Sequence, residues 1–135
     1  MNELRQFPRV HTRLEAELTN GEGESRQAII SNLSPGGLMI HGDIAIKQHI
    51  CEFEDRDPMQ EPVEVHLRCK LPGEPQPFLC RCRLIYIRRL SQTEFDIGFR
   101  YLDMSEIHAG MLHRFIFRKD PKVVSLDTRR AGNAG

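Results

Sequence analysis

Apolar and polar residues alternate along most of this chain. Leu14, Ala16 and Leu18 are interleaved with Glu15, Glu17 and Thr19, the period-two pattern of a half-buried strand. Asn20-Gly21-Glu22-Gly23-Glu24 follows as a hairpin turn, because glycine and asparagine accept the backbone angles such turns need. A second strand runs from Arg26 to Leu33, and Ser34-Pro35-Gly36-Gly37 turns the chain into Leu38-Met39-Ile40, which Gly42-Asp43 ends. In the next stretch Ile44, Ile46 and Ile50 suggest an irregular strand, and Glu52 to Glu61 form a polar connection containing Pro58. Val63, Val65, Leu67, Cys69 and Leu71 then alternate with Glu64, His66, Arg68 and Lys70. A breaker-rich loop, Pro72 to Pro77, leads into a long strand from Phe78 to Arg88. Ser91-Gln92-Thr93 turns it into Phe95, Ile97, Phe99 and Tyr101, alternating with Asp96, Gly98 and Arg100. This run of hairpin-sized strands predicts an all-β antiparallel barrel, closed or nearly so. Closure removes exposed sheet edges.

One helix follows. Asp103 is placed to cap it, with Glu106 as the reciprocal partner three residues on. Ile107, Met111, Leu112 and Phe115 fall on one face, which would pack across the barrel or plug a mouth. Arg114 and Arg118 lie toward the C-terminal end, where positive charge is favoured. Residues 119–135 have little core-forming power and read as a disordered tail. Residues 1–12 read as an irregular, flexible arm, because Pro8 lacks an amide donor and pushes Phe7 toward an extended conformation. The barrel and its helix thus occupy residues 13–118.

Composition narrows the function classes. The 135 residues are enough for one core, and 19 basic against 19 acidic side chains give a formal charge of zero. A polybasic nucleic-acid binder would be more basic, and Phe7 and Tyr86 are sparse aromatics for stacking single strands, so nucleic acid ranks low as a partner. Local charge is less even: Arg5, Arg9, Arg13 and His11 stand against Glu3 alone in residues 1–13, a basic arm able to attract a small dianion. No stretch approaches the ~20 apolar residues of a membrane span. Met1-Asn2-Glu3 leads into arginines without an apolar run, which predicts a cytoplasmic chain with reduced cysteines.

Two polar stretches carry candidate chemistry. Arg5-Gln6-Phe7-Pro8-Arg9 holds two arginines four apart, and Asn32-Leu33-Ser34-Pro35-Gly36-Gly37 sets short hydrogen-bonding groups beside glycines. Guanidinium forks suit phosphate oxygens and purine edges and faces. In an extended arm, residues 5 and 9 would stand about 13 Å apart, so gripping one small ligand requires the arm to bend. Each stretch alone also fits a plainer reading, a solvated arm and an ordinary turn. In this order and in this strand pattern they resemble the PilZ domain, a bacterial receptor module for cyclic di-GMP, over roughly residues 4–117. The resemblance implies a six-stranded antiparallel PilZ-type β-barrel with a C-terminal α-helix, and an arm that folds over the barrel. Arg5 and Arg9 would contact phosphates and guanine, Asn32 and Ser34 would approach base or phosphate oxygens, and Gly37 would leave room for the ligand. Leu4, standing before the first arginine, leans toward one cyclic di-GMP per domain. The resemblance also implies roles in motility, biofilm formation or polysaccharide export, with the signal passed to a separate, unidentified effector protein.

Other chemistry is poorly supported by the sequence. Cys80 and Cys82 share a strand face, with Cys69 across the hairpin; three thiolates could bind zinc, but small buried cysteines filling a core with Leu84 and Tyr86 fit better. No metal is therefore expected. The six histidines are scattered, no activated nucleophile is evident, and Glu52, Glu54, Asp55 and Asp57 read as a solvated loop, so no enzyme is expected. The rival reading is a nucleotide-independent adaptor in motility or secretion. Its interface would use outward Ile85 and Ile87 or the helix, which is also the candidate surface for a homo-oligomer.

Overall fold

The computed structural model describes residues 9–51 and 61–119. Residues 1–8, most of the expected arm, residues 52–60 with the expected polar connection, and residues 120–135, expected as a tail, lie outside them. Six strands, β1 (Val10–Thr19), β2 (Ser25–Leu33), β3 (Gly37–Asp43), β4 (Glu64–Cys69), β5 (Phe78–Arg89) and β6 (Glu94–Tyr101), are joined with two helices, α1 (Ile44–Cys51) and α2 (Glu106–Lys119). The strands close into an antiparallel barrel in the order β1-β2-β3-β6-β5-β4. Inward positions Leu18, Ile30, Ile40, Leu67, Phe78, Ile97 and Phe99 are almost wholly buried, as the period-two pattern requires.

Three local expectations change. Residues 44–51 are helical rather than an irregular strand. The Asp43 carboxylate accepts the Ile46 amide at 3.0 Å, an N-terminal cap, and Ile46, His49, Ile50 and Cys51 are buried. The isoleucines suggested a strand, but the cap and the four-residue spacing of Ile46 and Ile50 prevail over β propensity. At α2 the capping side chain is Ser105, whose hydroxyl accepts the His108 amide at 3.3 Å. Asp103 instead receives Arg81, with Nε and Nη2 donating at 3.3 and 3.2 Å. The buried face of α2 is Met111, Leu112, Phe115 and Ile116, whereas Ile107 is 67% exposed.

The third change is a register shift in β5 between Leu84 and Tyr86 where it pairs with β6. An extra residue in one strand reverses the facing of everything beyond it. Leu84 is buried, but Tyr86 is exposed and Ile87 packs against the core. Tyr86, expected inward, is therefore outside, and Ile87, expected outward, is inside; Ile85 is exposed as expected.

One ion cluster docks α2. Arg114 donates to both Glu74 oxygens at 3.0 and 2.8 Å, Arg118 lies 3.6 Å from the same carboxylate, and Arg118 also donates to the Pro72 carbonyl at 2.7 Å. These contacts hold the helix to the β4–β5 loop, where Gly73 adopts a φ of 89° that favours glycine. The guanidiniums hold the Glu74 carboxyl below its ordinary range despite its burial.

Candidate functional site

Strand pairing brings Arg9, the last residue of the arginine motif, to the end of the barrel that carries the turn motif. β1 and β2 pair with Val10 opposite Leu33 and His11 opposite Asn32. Arg9, exposed and one residue before Val10, thus enters the sheet beside the strand end that carries Ser34. Arg5 lies outside the described residues. β1 already begins at Val10, so the last three residues assigned to the arm are strand.

The turn holds itself. The Ser34 amide donates to the Gly37 carbonyl at 2.9 Å, and the Ser34 hydroxyl accepts the Gly37 amide at 3.2 Å and donates to its carbonyl at 3.1 Å. The Tyr101 amide donates to the Gly36 carbonyl at 3.1 Å, fixing the turn to β6. A Cβ on Gly37 would fall on the Phe99 carbonyl oxygen of the neighbouring strand. Close approach of β3 and β6 by itself demands glycine at 37. A Cβ on Gly36 would meet nothing within 4 Å.

Asn32 belongs to a row that crosses five strands on the outer face. His11 pairs with Asn32, Asn32 with Met39, Met39 with Gly98 and Gly98 with Tyr86. Asn32 is only 5% exposed, and its amide nitrogen lies 3.8 Å from the Met39 sulfur. The Tyr86 ring lies directly over Gly98, where any Cβ would overlap it, and its hydroxyl lies 3.2 Å from the same sulfur. The row therefore offers an amide, a sulfur and a half-exposed aromatic side chain beside the turn. Sequence reasoning missed Met39 and placed Tyr86 in the core. A glycine inside an alternating strand at 98 was the available signal of close approach by another group.

The adjacent outer row is electrostatic. Ile29, His41, Asp96 and Arg88 follow one another across β2, β3, β6 and β5. Asp96, 6% exposed, receives Arg88 at 2.6 Å and faces His41 Nδ1 at 3.2 Å, while His41 Nε2 faces Glu94 at 3.1 Å. Burial works against its charge, but the bonds from Arg88 and His41 outweigh it and hold its carboxyl below the usual range.

The cysteines behave as core. Cys69, Cys80 and Cys82 are buried, with the Cys80 and Cys82 sulfurs 3.5 Å apart. Burial pushes the Cys69 thiol up to about 12, and the Cys82 contact with burial pushes Cys80 higher still, so both are neutral thiols in this core. Among the described residues no group of three or more His, Cys, Asp or Glu is arranged to hold a metal ion. No helix among them is long and apolar enough to cross a membrane. Two clefts, of about 250 and 460 Å³, lie on the flank formed around Glu17 and Arg68, away from the row that contains Asn32 and Tyr86.

Known proteins share this architecture. The structure superposes on the inhibitor of motility MotI/DgrA of Bacillus subtilis with a TM-score of 0.60 at 16% identity, covering 84% of this chain and 49% of that one. The PilZ domain of Escherichia coli YcgR, solved with c-di-GMP, gives 0.56 at 16% identity over 95% of this chain and 97% of that one. The MrkH–c-di-GMP complex of K. pneumonia gives 0.59 at 13% identity over 94% and 55%. This chain thus spans about half the length of the Bacillus and Klebsiella proteins. No curated protein matches it in sequence. A family model of the PilZ domain matches residues 3–118, a span that contains the whole barrel, both sequence motifs and all but the last residue of the terminal helix, and the chain belongs to the PilZ domain family.

Proposed function

We propose that this chain is a receptor for cyclic di-GMP and binds it on the outer face of β2, β3, β6 and β5, beside the Ser34–Gly37 turn. The observation that carries the reading is the β1–β2 register, which delivers Arg9 to the strand end bearing Asn32 and Ser34. Arg5 and Arg9 would cover the ligand from the arm side, offering guanidinium forks to its phosphodiesters and guanine acceptors. Asn32 and Ser34 would contact base or phosphate oxygens, with Gly37 setting the turn that presents them. Tyr86 would supply a stacking surface. That YcgR, MrkH and a Borreliella protein of the same fold were solved with c-di-GMP supports this assignment.

PilZ domains are non-catalytic receptor modules, so the output of binding is conformational. Ligand capture would hold the arm across the barrel, a conformational switch, and the altered surface would engage a separate effector protein. Amide chemical-shift mapping tests the location. Addition of cyclic di-GMP should move the resonances of Asn32, Ser34, Gly36, Met39 and Tyr86 and leave Glu17, Arg68 and Leu79 in place. Shifts confined to the latter group would refute the proposed face.

A further inference from the structure

One transverse row nearer the turn, the outer face carries more positive charge than the fold uses. Gly37 pairs with Arg100, Arg100 with Arg83 and Arg83 with Glu64. Arg100 and Arg83 are thus like charges directly opposite on one face, an arrangement that opposes folding. Glu64 serves two arginines at once, Arg83 at 3.0 Å and Arg81 at 3.2 Å, and Arg81 is further held by Asp103. Three guanidiniums therefore stand against two carboxylates. Arg100, exposed, has no hydrogen bond or ion pair among the described residues. The Arg83 Nε–H is shielded from solvent and meets no acceptor among the described residues, so this group too is under-satisfied.

We propose that Arg100 is a further ligand-contacting residue of this site and that, backed by Arg83, it holds one phosphodiester of the bound dinucleotide. The inference rests on the receptor reading above. Arg100 lies on the same strand face as Gly98, two residues or about 7 Å along β6, and Gly98 carries the Tyr86 ring. A purine stacked on that ring would leave its attached phosphate within reach of the Arg100 guanidinium. Arg100 also flanks the turn, being opposite Gly37, so an anion there would lie between β6 and the hydrogen-bonding groups of the turn. Binding would relieve the repulsion between Arg83 and Arg100, and the single excess charge matches a single phosphodiester.

The test is titration of cyclic di-GMP into the full chain at low and high ionic strength, comparing wild type with R100A, R100K, R100Q and R26A. Arg26 is an exposed cation near the β1–β2 turn and controls for net charge. R100A is expected to bind about tenfold more weakly and to lose less affinity on adding salt, because one screened interaction is gone. R100K should recover part of the loss, and R26A should match wild type. Thermal melts accompany each titration; if R100A fails to fold, R100Q, which keeps the side-chain volume without the charge, carries the comparison. Wild-type binding with an unchanged folded Arg100 variant, in affinity and salt dependence, overturns this inference alone. A folded wild type that does not bind overturns both this inference and the receptor reading.

Discussion

Tyr86 and Met39 stand on strands that do not pair with one another, yet the Tyr86 hydroxyl lies 3.2 Å from the Met39 sulfur. The contact is possible because the residue between them on β6 is Gly98, with no side chain to fill the gap. The ring covers Gly98 and Tyr86 stays 43% exposed, which leaves aromatic surface for a base to stack on. Tyr86→Ala should weaken cyclic di-GMP binding by about 1–3 kcal/mol, the usual contribution of a stacked base. Tyr86→Phe should bind like wild type, and Gly98→Ala, which must displace the ring, should weaken binding as Tyr86→Ala does. Calorimetry on the three variants checks this; full affinity in Tyr86→Ala would remove the ring from the site.

The two glycines of the turn should separate cleanly. Gly37→Ala sets a methyl against the Phe99 carbonyl and should destabilise the fold by about 1–3 kcal/mol, as overpacking does. Gly36→Ala meets open space and should melt at the wild-type temperature while binding ligand several-fold more weakly, since the added methyl faces the approaching dinucleotide. Denaturant melts and titrations on both proteins measure the contrast; equal losses of stability would show the turn to be packed differently.

Asn32 and Ser34 should also differ. Ser34→Ala removes both hydroxyl bonds to Gly37 and should cost about 1 kcal/mol of stability together with affinity. Asn32→Ala removes only a long contact to sulfur, so its effect should fall mainly on affinity. If Asn32→Ala bound normally, Asn32 would have no ligand role.

Acid should weaken the row beside the site. The Asp96 carboxyl is depressed in the folded protein, so its contribution is present above the ordinary aspartate range and is lost as pH falls through the folded value. Wild type should exceed Asp96→Asn in stability by about 1 kcal/mol at neutral pH, after allowing for the screening of a largely exposed Arg88. The difference should shrink below about pH 4. Urea melts across pH measure it, and a pH-independent gap would contradict the assignment.

The barrel was legible in the chain because alternation such as Leu14-Glu15-Ala16-Glu17-Leu18 states directly which side of a strand is buried. The pieces that were not legible depend on contacts distant in sequence. Nothing local to Leu84-Ile85-Tyr86 announces an inserted residue, so Tyr86 was assigned to the core; only pairing with Gly98 turns it outward. Ile44 to Ile50 carried strand-forming residues, and a single carboxylate at Asp43 decided for a helix. Arg100 looked like any exposed strand residue until the register set it opposite Gly37 and Arg83. The arginine and turn motifs could be read as a pair, but only the β1–β2 pairing sets Arg9 beside the strand end that carries Ser34.

The most direct test is calorimetric titration of cyclic di-GMP into the purified chain beside the Arg5→Ala/Arg9→Ala double variant. The account predicts micromolar or tighter binding to wild type with one ligand per domain. The double variant should lose affinity on the order of a hundredfold or more, as expected for two charge-assisted contacts of about 1.5–3 kcal/mol each. A well-folded wild type that takes up no cyclic di-GMP would contradict it and leave a nucleotide-independent adaptor as the better description.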